Sequence, residues 1–326
     1  MKVLLSGNFY KANLHTHTIN SDGKLTPEEM KEAYKSRGYQ IVAFTDHDII
    51  KEQSHLNDEN FLALTGNELG IPGLMRGELG GENLHISLIA KRPDMNWQPY
   101  KCYQNNPIRN AIFETVDCPQ YPKDYDVQKI NQVLREANER GFLAIYNHPN
   151  WSMQSGDMQY QLEGLWGVEA RNSASVLLGY GDVDAYVYRA FLNRGRDLMP
   201  VMADDSHIMR DVGHSWMMIG AKELTYDAVI EAMEQRNVYS SCGPEIYDIR
   251  WEGTTLSVRC SGAEKIVVLT NSRMAKMVEN AQEAEFNMVR WWNGSEGDHR
   301  AYIRVAVYGK DGGYALTRAY WRQELE

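Results

Sequence analysis

Asn13-Leu14-His15-Thr16-His17, followed closely by Ser21-Asp22-Gly23, is the stretch on which the reading of this chain turns. Successive side chains of an extended segment point to opposite faces, so His15 and His17 share a face and can grip one cation together. Asp22 lies just beyond, where a turn can swing a carboxylate to the same place. Taken alone, a His-x-His pair is more often two strand histidines than a metal site. The decision rests on whether other segments deliver further ligands to it.

Working outward, short apolar runs alternate with helical patterns through the first three quarters of the chain, which predicts an α/β architecture. Residues 41–45, 61–64, 84–90, 142–146, 165–170 and 198–203 read as buried strands. Between them, Thr26-Pro27-Glu28-Glu29 is a capping box with proline in the first turn, opening a helix that runs to Gly38. Asp126 caps a second helix, closed by Gly141. Further helices are expected over 182–194 and 225–236. Residues 91–125 break the rhythm with Pro93, Pro99, Pro107, Pro119 and Pro122, and read as an irregular covering loop. After Gly243-Pro244 the pattern changes to short alternating runs and a Lys310-Asp311-Gly312-Gly313 turn, expected to form a small antiparallel β-sandwich over 245–326. Its aromatics, Trp251, Trp291, Trp292, Tyr302, Tyr320 and Trp321, read as core rather than as a sugar platform.

The expected strands run into polar residues of one chemical kind. Residues 41–45 lead into Asp46-His47-Asp48, and 61–64 into Gly66-Asn67-Glu68. His85 enters the run 84–90. Residues 142–146 lead into Asn147-His148-Pro149, and 198–203 into Asp204-Asp205-Ser206-His207. In barrels of parallel strands, functional groups collect at the C-terminal strand ends. Asp205-x-His207 repeats the spacing of His15-x-His17. Six of the nine histidines fall in these places, while His55, His214 and His299 do not. His85 alone reads as a satisfied core histidine, Glu68 alone as a turn residue and Asp205 alone as a helix cap. Their joint occurrence overturns those readings. Together these groups are too many for one ion, so two or three ions sharing a bridging carboxylate are expected, and imidazole with carboxylate suits Zn, Mn or Fe.

This order, His15-x-His17, Asp22, His47, Glu68, His85, His148, Asp205-x-His207, resembles the PHP (polymerase and histidinol phosphatase) superfamily over about residues 9–220. The resemblance implies a distorted (β/α)7 barrel over 1–244, with 91–125 inserted, and a trinuclear metal site. It implies one metal on His15, His17, Glu68 and Asp205, a second on Glu68, His85 and His148, and a third on Asp22, His47 and His207, with Glu68, Asp205 and His207 at the catalytic centre. Asn13 stands where the family often has an aspartate. Asp204 neighbours Asp205, which is preferred because it keeps the Asp-x-His spacing. The segments 203–207 and 239–244 and the β-rich tail also resemble CehA/McbA-like metallohydrolases.

The function so implied is a metal-dependent phosphoesterase for a small phosphorylated metabolite or nucleotide, with a metal-held hydroxide as nucleophile. The alternative is an amide or ester (carbamate-type) hydrolase using the same cluster. The chain has neither a G-x-S-x-G elbow nor a Cys/His motif that would supply a protein nucleophile. Arg171 and then Arg210 are the expected phosphate-binding cations, with His214 orienting substrate, and Asp46 or Asp48 backing His47.

Composition bounds the partners. The 326 residues are 43% hydrophobic and 24% charged, with a net charge of −10. There is no basic stripe for nucleic acid and no membrane-length apolar run. Residues 1–6 are too short an apolar stretch for a secretory signal, and Cys102, Cys118, Cys242 and Cys260 form no CxxC pair, so a cytoplasmic protein with reduced thiols is expected.

Overall fold

The computed structural model describes residues 1–75, 81–101, 107–154, 156–182 and 184–326. Cys102 and part of the proline-rich stretch lie outside the described residues. The strands, in chain order, are β1 (Lys2–Leu5), β2 (Phe9–Asn13), β3 (Ile41–Phe44), β4 (Leu62–Met75), β5 (Gly81–Ala90), β6 (Phe142–Tyr146), β7 (Leu165–Asn172), β8 (Met199–Ala203), β9 (Trp216–Gly220) and β10 (Val238–Ser241). They continue with β11 (Ile246–Glu252), β12 (Thr255–Thr270), β13 (Ala275–Asn287), β14 (Tyr302–Tyr308), β15 (Tyr314–Thr317) and β16 (Tyr320–Trp321). The fold is mixed α/β, built on one large sheet in the order β1-β11-β12-β14-β15-β10-β9-β2-β3-β4-β5-β6-β7-β8, with β13 on β12 and β16 on β14.

The sheet does not close into the expected barrel. Among the described residues, parallel strand ladders are confined to β2-β3-β4 and β6-β7-β8. β4 returns through β5, and β5 into β6, by antiparallel pairing, while β9 runs antiparallel to β2. Among the described residues no strand ladder joins β8 to β2. The residues that follow each strand are joined instead: the Asp204 amide donates to Asn13 Oδ1 (2.9 Å), that of Asp205 to the His15 carbonyl (3.1 Å) and that of His17 to the Ser206 carbonyl (3.0 Å). The sheet is therefore stitched at the end where the histidines lie.

The C-terminal strands are hydrogen-bonded into the same sheet. β15 pairs with β10 through Tyr239↔Thr317 and its neighbours, and β1, from the other end of the chain, pairs with β11. The expected short runs over 255–259 and 265–270 are one strand, β12, with a register shift between Arg259 and Ala263. On β14 alternation divides the strand between two cores. Tyr302 and Ala306 pack with Tyr188 and Phe191, while Ile303, Val305 and Val307 pack with Leu256, Val258 and Trp251. The late aromatics are core: Trp251, Trp291, Tyr302, Tyr320 and Trp321 are buried, and Trp292 is half-buried against Trp251.

The helices begin where their caps place them. Thr26 and Glu29 make the reciprocal capping box, and the helix Pro27–Lys35 buries Met30, Ala33 and Tyr34. Asp126 accepts from the amides of Gln128 (2.9 Å) and Lys129 (3.1 Å). The helix Val127–Arg140 that follows presents Ile130, Val133, Leu134 and Ala137 at helical spacing to the core beneath β6, and ends at Gly141 with φ 93°. Burial of each of Ile130, Val133 and Leu134 contributes about 1.5–3 kcal/mol. The other two expected helices are shorter than their sequence spans, at Asp184–Asn193 and Tyr226–Glu234.

Described residues of the stretch 91–125 pack into the core, where the sequence pattern suggests a covering loop. The stretch contains the helix Pro107–Phe113, and its Met95, Trp97, Tyr100 and Val116 are buried in the core shared by β5 and β6. Gln98 binds the Ile50 amide through Oε1 (3.0 Å) and donates to the Asp48 carbonyl (2.9 Å). Proline spacing marks the absence of regular structure; it carries no information about whether an irregular segment is solvated or packed. If Trp97 anchors this segment against Phe142 (ring centroids 5.7 Å apart), Trp97→Ala will lower unfolding stability by about 3–5 kcal/mol in denaturant titration. A loss within experimental error would show that the segment does not depend on the core.

Candidate metal centre

The nine residues singled out by the sequence converge. His15 and His17 follow the end of β2, in an extended segment that is held by a parallel bridge between Thr16 and Ser206. Alternation survives there, and the two rings share a face with their Nε2 atoms 3.1 Å apart. Thr16 points the other way, toward Asn13 and Tyr34.

Glu68 is the centre. It lies within β4 rather than at a strand end, because β4 runs on to Met75 to pair with β5. Its side chain is 1% exposed. Oε1 lies 3.2 Å from His15 Nε2, 3.1 Å from His85 Nδ1 and 3.2 Å from His148 Nε2. Oε2 lies 3.3 Å from His17 Nε2 and 3.0 Å from His47 Nδ1. Asp205 Oδ1 lies 3.1 Å from His17 Nε2 and 3.3 Å from His15 Nε2. Asp22, at the cavity wall, faces His207 Nε2 at 3.4 Å and His47 Nε2 at 3.8 Å. Ligand-type atoms within 4.8 Å of one another form four overlapping sets: His17, Asp22, His47 and His207; His15, His148 and Asp205; His15, His17 and Glu68; His47, Glu68 and His85.

Backbone strain is spent here. His148 (φ 25°) and Asp205 (φ 55°) both occupy the left-handed region, at a cost of about 1–3 kcal/mol each that the surroundings must impose. The His148 amide is fixed by Glu169 Oε2 (2.7 Å), and that of Asp205 by the His15 carbonyl (3.1 Å).

A supporting shell surrounds the nine, and Glu169 is its main member. Buried on β7, Glu169 holds His15 Nδ1 at 2.8 Å and accepts from Asn172 Nδ2 at 2.9 Å. This fixes the His15 tautomer so that Nε2 faces the cluster. Asn147 donates to Glu68 Oε1 (2.7 Å), and the Ser152 hydroxyl meets His148 Nδ1 (3.0 Å). Sequence reasoning missed Glu169. The available signal was a single carboxylate interrupting the apolar run 165–170.

Electrostatics test whether the donor set suits cations. Burial works against the charged form of His15, yet the carboxylates of Asp205, Glu68 and Glu169 outweigh it and hold the imidazole well above its ordinary pKa. His207 is likewise pushed up to about 9, burial opposing and Asp22 and Asp205 prevailing. Despite burial, the neighbouring imidazoles hold Glu68 and Asp205 far below the usual carboxylate range. Glu68 Oε2 and Asp205 Oδ1 are buried and meet ring nitrogens at 3.0–3.3 Å without hydrogen-bond geometry. Buried carboxylate oxygens facing converging ring nitrogens in this way are what divalent cations satisfy. The all-nitrogen-and-oxygen donor set fits Zn, Mn or Fe.

The other expected site residues divide. Arg210 lines the cavity of about 360 Å³ above the cluster. Arg171 and His214 do not, which corrects the sequence expectation. The Arg171 guanidinium is paired with Asp182 and bonded to the Ser215 hydroxyl (3.1 Å). A register shift between Glu169 and Arg171 breaks the alternation that would have set both on one face. His214 is exposed, with Nε2 bound to the Arg210 carbonyl at 2.8 Å. Asp204 turns away from the cluster to collect the amides of Gly213 (2.6 Å), His214 (3.0 Å) and Ser215 (2.8 Å), leaving Asp205 as the carboxylate in the site. Asp46 anchors the turn after His17 by accepting from the Thr18 amide (2.7 Å), and Asp48 pairs with Lys123 (2.6 Å). His55 lies elsewhere, paired with Glu28 at 3.2 Å. No helix among the described residues is long and apolar enough to cross a membrane.

No protein-family model matches the chain, and no curated protein matches it. Solved structures do resemble it. A two-domain protein from Bacteroides vulgatus, containing a predicted PHP-like metal-dependent phosphoesterase, is 14% identical, with 98% of each chain covered and a TM-score of 0.46. An amidohydrolase from Chromobacterium violaceum, with bound sulfate and no metal, is 17% identical over 70% of this chain and 96% of that one, with a TM-score of 0.42. A lesion-specific endonuclease from Pyrococcus furiosus is 13% identical over 70% of this chain and 56% of that one, with a TM-score of 0.42.

Glu169→Gln keeps the side-chain shape but removes the charge behind His15. It is expected to weaken metal retention about 10–100-fold, read by competition with a chromogenic chelator while circular dichroism stays unchanged. Unaltered retention would remove Glu169 from any supporting role.

Proposed function

We propose that this chain is a metal-dependent hydrolase of the PHP superfamily, acting as a phosphoesterase on a small phosphorylated metabolite or nucleotide. The observation that carries this reading is Glu68: a fully buried carboxylate with five imidazole nitrogens within 3.3 Å of its oxygens. Such a centre is hard to account for as packing, because burying a charge costs several kcal/mol unless it is compensated. Two to three divalent ions would be held by His15, His17, Glu68 and Asp205, by Glu68, His85 and His148, and by Asp22, His47 and His207, with Glu68 contributing to two of the three sets.

Such ions, when bound, ionise water near neutral pH and polarise the phosphoryl oxygen. The chain's own residues supply the rest. Hydrolysis forms a bond from a water oxygen to phosphorus, breaks the P–O ester bond and releases the alcohol with a proton. Glu169 and Ser152 hold His15 and His148 in fixed orientations, which keeps the donor atoms in place without reorganisation during the reaction. Arg210, at the cavity wall and bonded to Asp211 at 3.3 Å, is the cation assigned to the phosphoryl oxygens. The net charge of −10 favours a small anion over a polymeric one, since a nucleic-acid track needs a basic surface.

The test is a panel of phosphomonoesters, cyclic phosphates, aryl esters and carbamates with protein loaded with Zn, Mn or Fe. Phosphomonoester hydrolysis is expected, abolished by chelation and by Glu68→Ala, and restored to the chelated wild type by metal. Full activity in metal-free protein, or hydrolysis of the acyl compounds alone, would refute the assignment. Arg210→Ala is expected to raise KM for the phosphomonoester about 10-fold, the worth of one charge-assisted hydrogen bond. An unchanged KM would strike Arg210 from the phosphate site.

A further inference from the structure

The cavity above the cluster is unevenly furnished. Its floor holds the histidines and carboxylates, while part of its wall is made by Trp151, Ala174, Leu178 and Ile208. Trp151 is half-buried and its ring is set by contact with the cluster, with centroids 4.9 Å from His148 and 5.6 Å from His85. Leu178, 60% exposed, adds an apolar side chain at the mouth beside Trp151 and Ile208. The segments carrying Trp151 and Leu178 are tied together by a hydrogen bond from the Asn150 side chain to the Tyr180 carbonyl.

The polar groups of this wall are already engaged. The Ser175 hydroxyl donates to Asn172 Oδ1 (2.8 Å). The Asp211 carboxylate accepts from the amides of His207 and Ile208 (3.2 Å each) and from Arg210. Apart from the cluster, Arg210 and the Trp151 indole N–H are the side-chain donors of this wall that carry no bond to another wall residue beyond Asp211, and the phosphoryl group claims Arg210. Hydroxyls of a polyhydroxylated substrate laid against Ala174, Leu178 and Ile208 would find no side-chain partner there, a penalty that sites of this kind use to reject ligands. A planar apolar group meets Trp151, Leu178 and Ile208 instead.

Resting on the phosphoesterase reading, we infer that the wall formed by Trp151, Leu178 and Ile208 selects substrates whose alcohol carries a planar aromatic ring next to the phosphate, and discriminates against sugar and polyol phosphates. Trp151 is the residue that determines this specificity.

The discriminating pair is 2-phenylethyl phosphate and glycerol 1-phosphate, both esters of primary alcohols, so leaving-group chemistry is nearly matched. With metal-loaded protein, kcat/KM is expected to favour the phenyl compound at least 10-fold. Trp151→Ala should collapse that ratio with metal content retained, Trp151→Phe should restore most of it, and Leu178→Ser should reduce it severalfold. Equal turnover, a preference for glycerol 1-phosphate, or a ratio unmoved by Trp151→Ala in metal-replete protein would each overturn the inference. Calorimetric binding of benzylphosphonate against methylphosphonate separates this claim from the phosphoesterase reading. Tighter binding of the benzyl compound without hydrolysis of either ester would sink the activity but keep the aromatic subsite, whereas equal binding would sink the subsite.

Discussion

The structure is organised around a carboxylate that is buried where a carboxylate should not be. Glu68 is withdrawn from water in the middle of β4, and imidazoles from four other segments close on it: His15 and His17 after β2, His47 after β3, His85 on β5 and His148 after β6. An isolated buried charge is costly enough to unfold a domain of ordinary stability. Its compensation therefore constrains everything that delivers a partner. The surrounding imidazoles meet that need in part, and the carboxylates in turn hold His15 above its ordinary pKa despite burial. Glu68 Oε2 and Asp205 Oδ1, which face ring nitrogens without hydrogen-bond geometry, mark what the rings leave unmet.

That constraint accounts for the departures from a regular barrel. β4 does not stop at the site; it continues and returns as β5, so Glu68 and His85 face each other across an antiparallel pair in which Gly70 sits opposite His85. A parallel crossover would have placed His85 on an element remote from its partner. The seam between the ends of β2 and β8 is made by the ligand-bearing segments themselves, through Asn13, His15, His17, Asp204, Asp205 and Ser206. Asn13 has a structural part here: its side chain spans the seam by accepting from Asp204 and donating to the His15 carbonyl (2.7 Å). Fold closure and site assembly at this end are one set of hydrogen bonds.

The C-terminal strands bear on the site indirectly. β15 extends the sheet from β10, and Tyr314 reaches Asp182, the carboxylate that holds Arg171. Arg171 is consequently part of the joint between the C-terminal strands and the segment after β7. A cation at the end of an apolar strand looks the same in sequence whether it faces a cavity or a neighbouring acid.

Much of this was legible in the chain itself, and the legible part is local. The Thr26 box and the Asp126 cap depend on groups two or three residues away, and the structure has both. The pairing of His15 with His17 follows from alternation over two residues. The ordered histidines and carboxylates announced one site because their chemistry is too specialised to recur by accident. What only the tertiary structure decided are relations that no short-range pattern encodes. Glu169 supports His15 from 154 residues away. A register shift on β7 takes Arg171 out of the cavity. Met95, Trp97, Tyr100 and Val116 of the proline-rich stretch pack as core, and the sheet stays open while its site end is stitched. Sequence periodicity reports which way a side chain points relative to its own neighbours. Which distant group it then meets is set by strand register and by the energetic demand of a buried charge, and both exist only once the chain has folded.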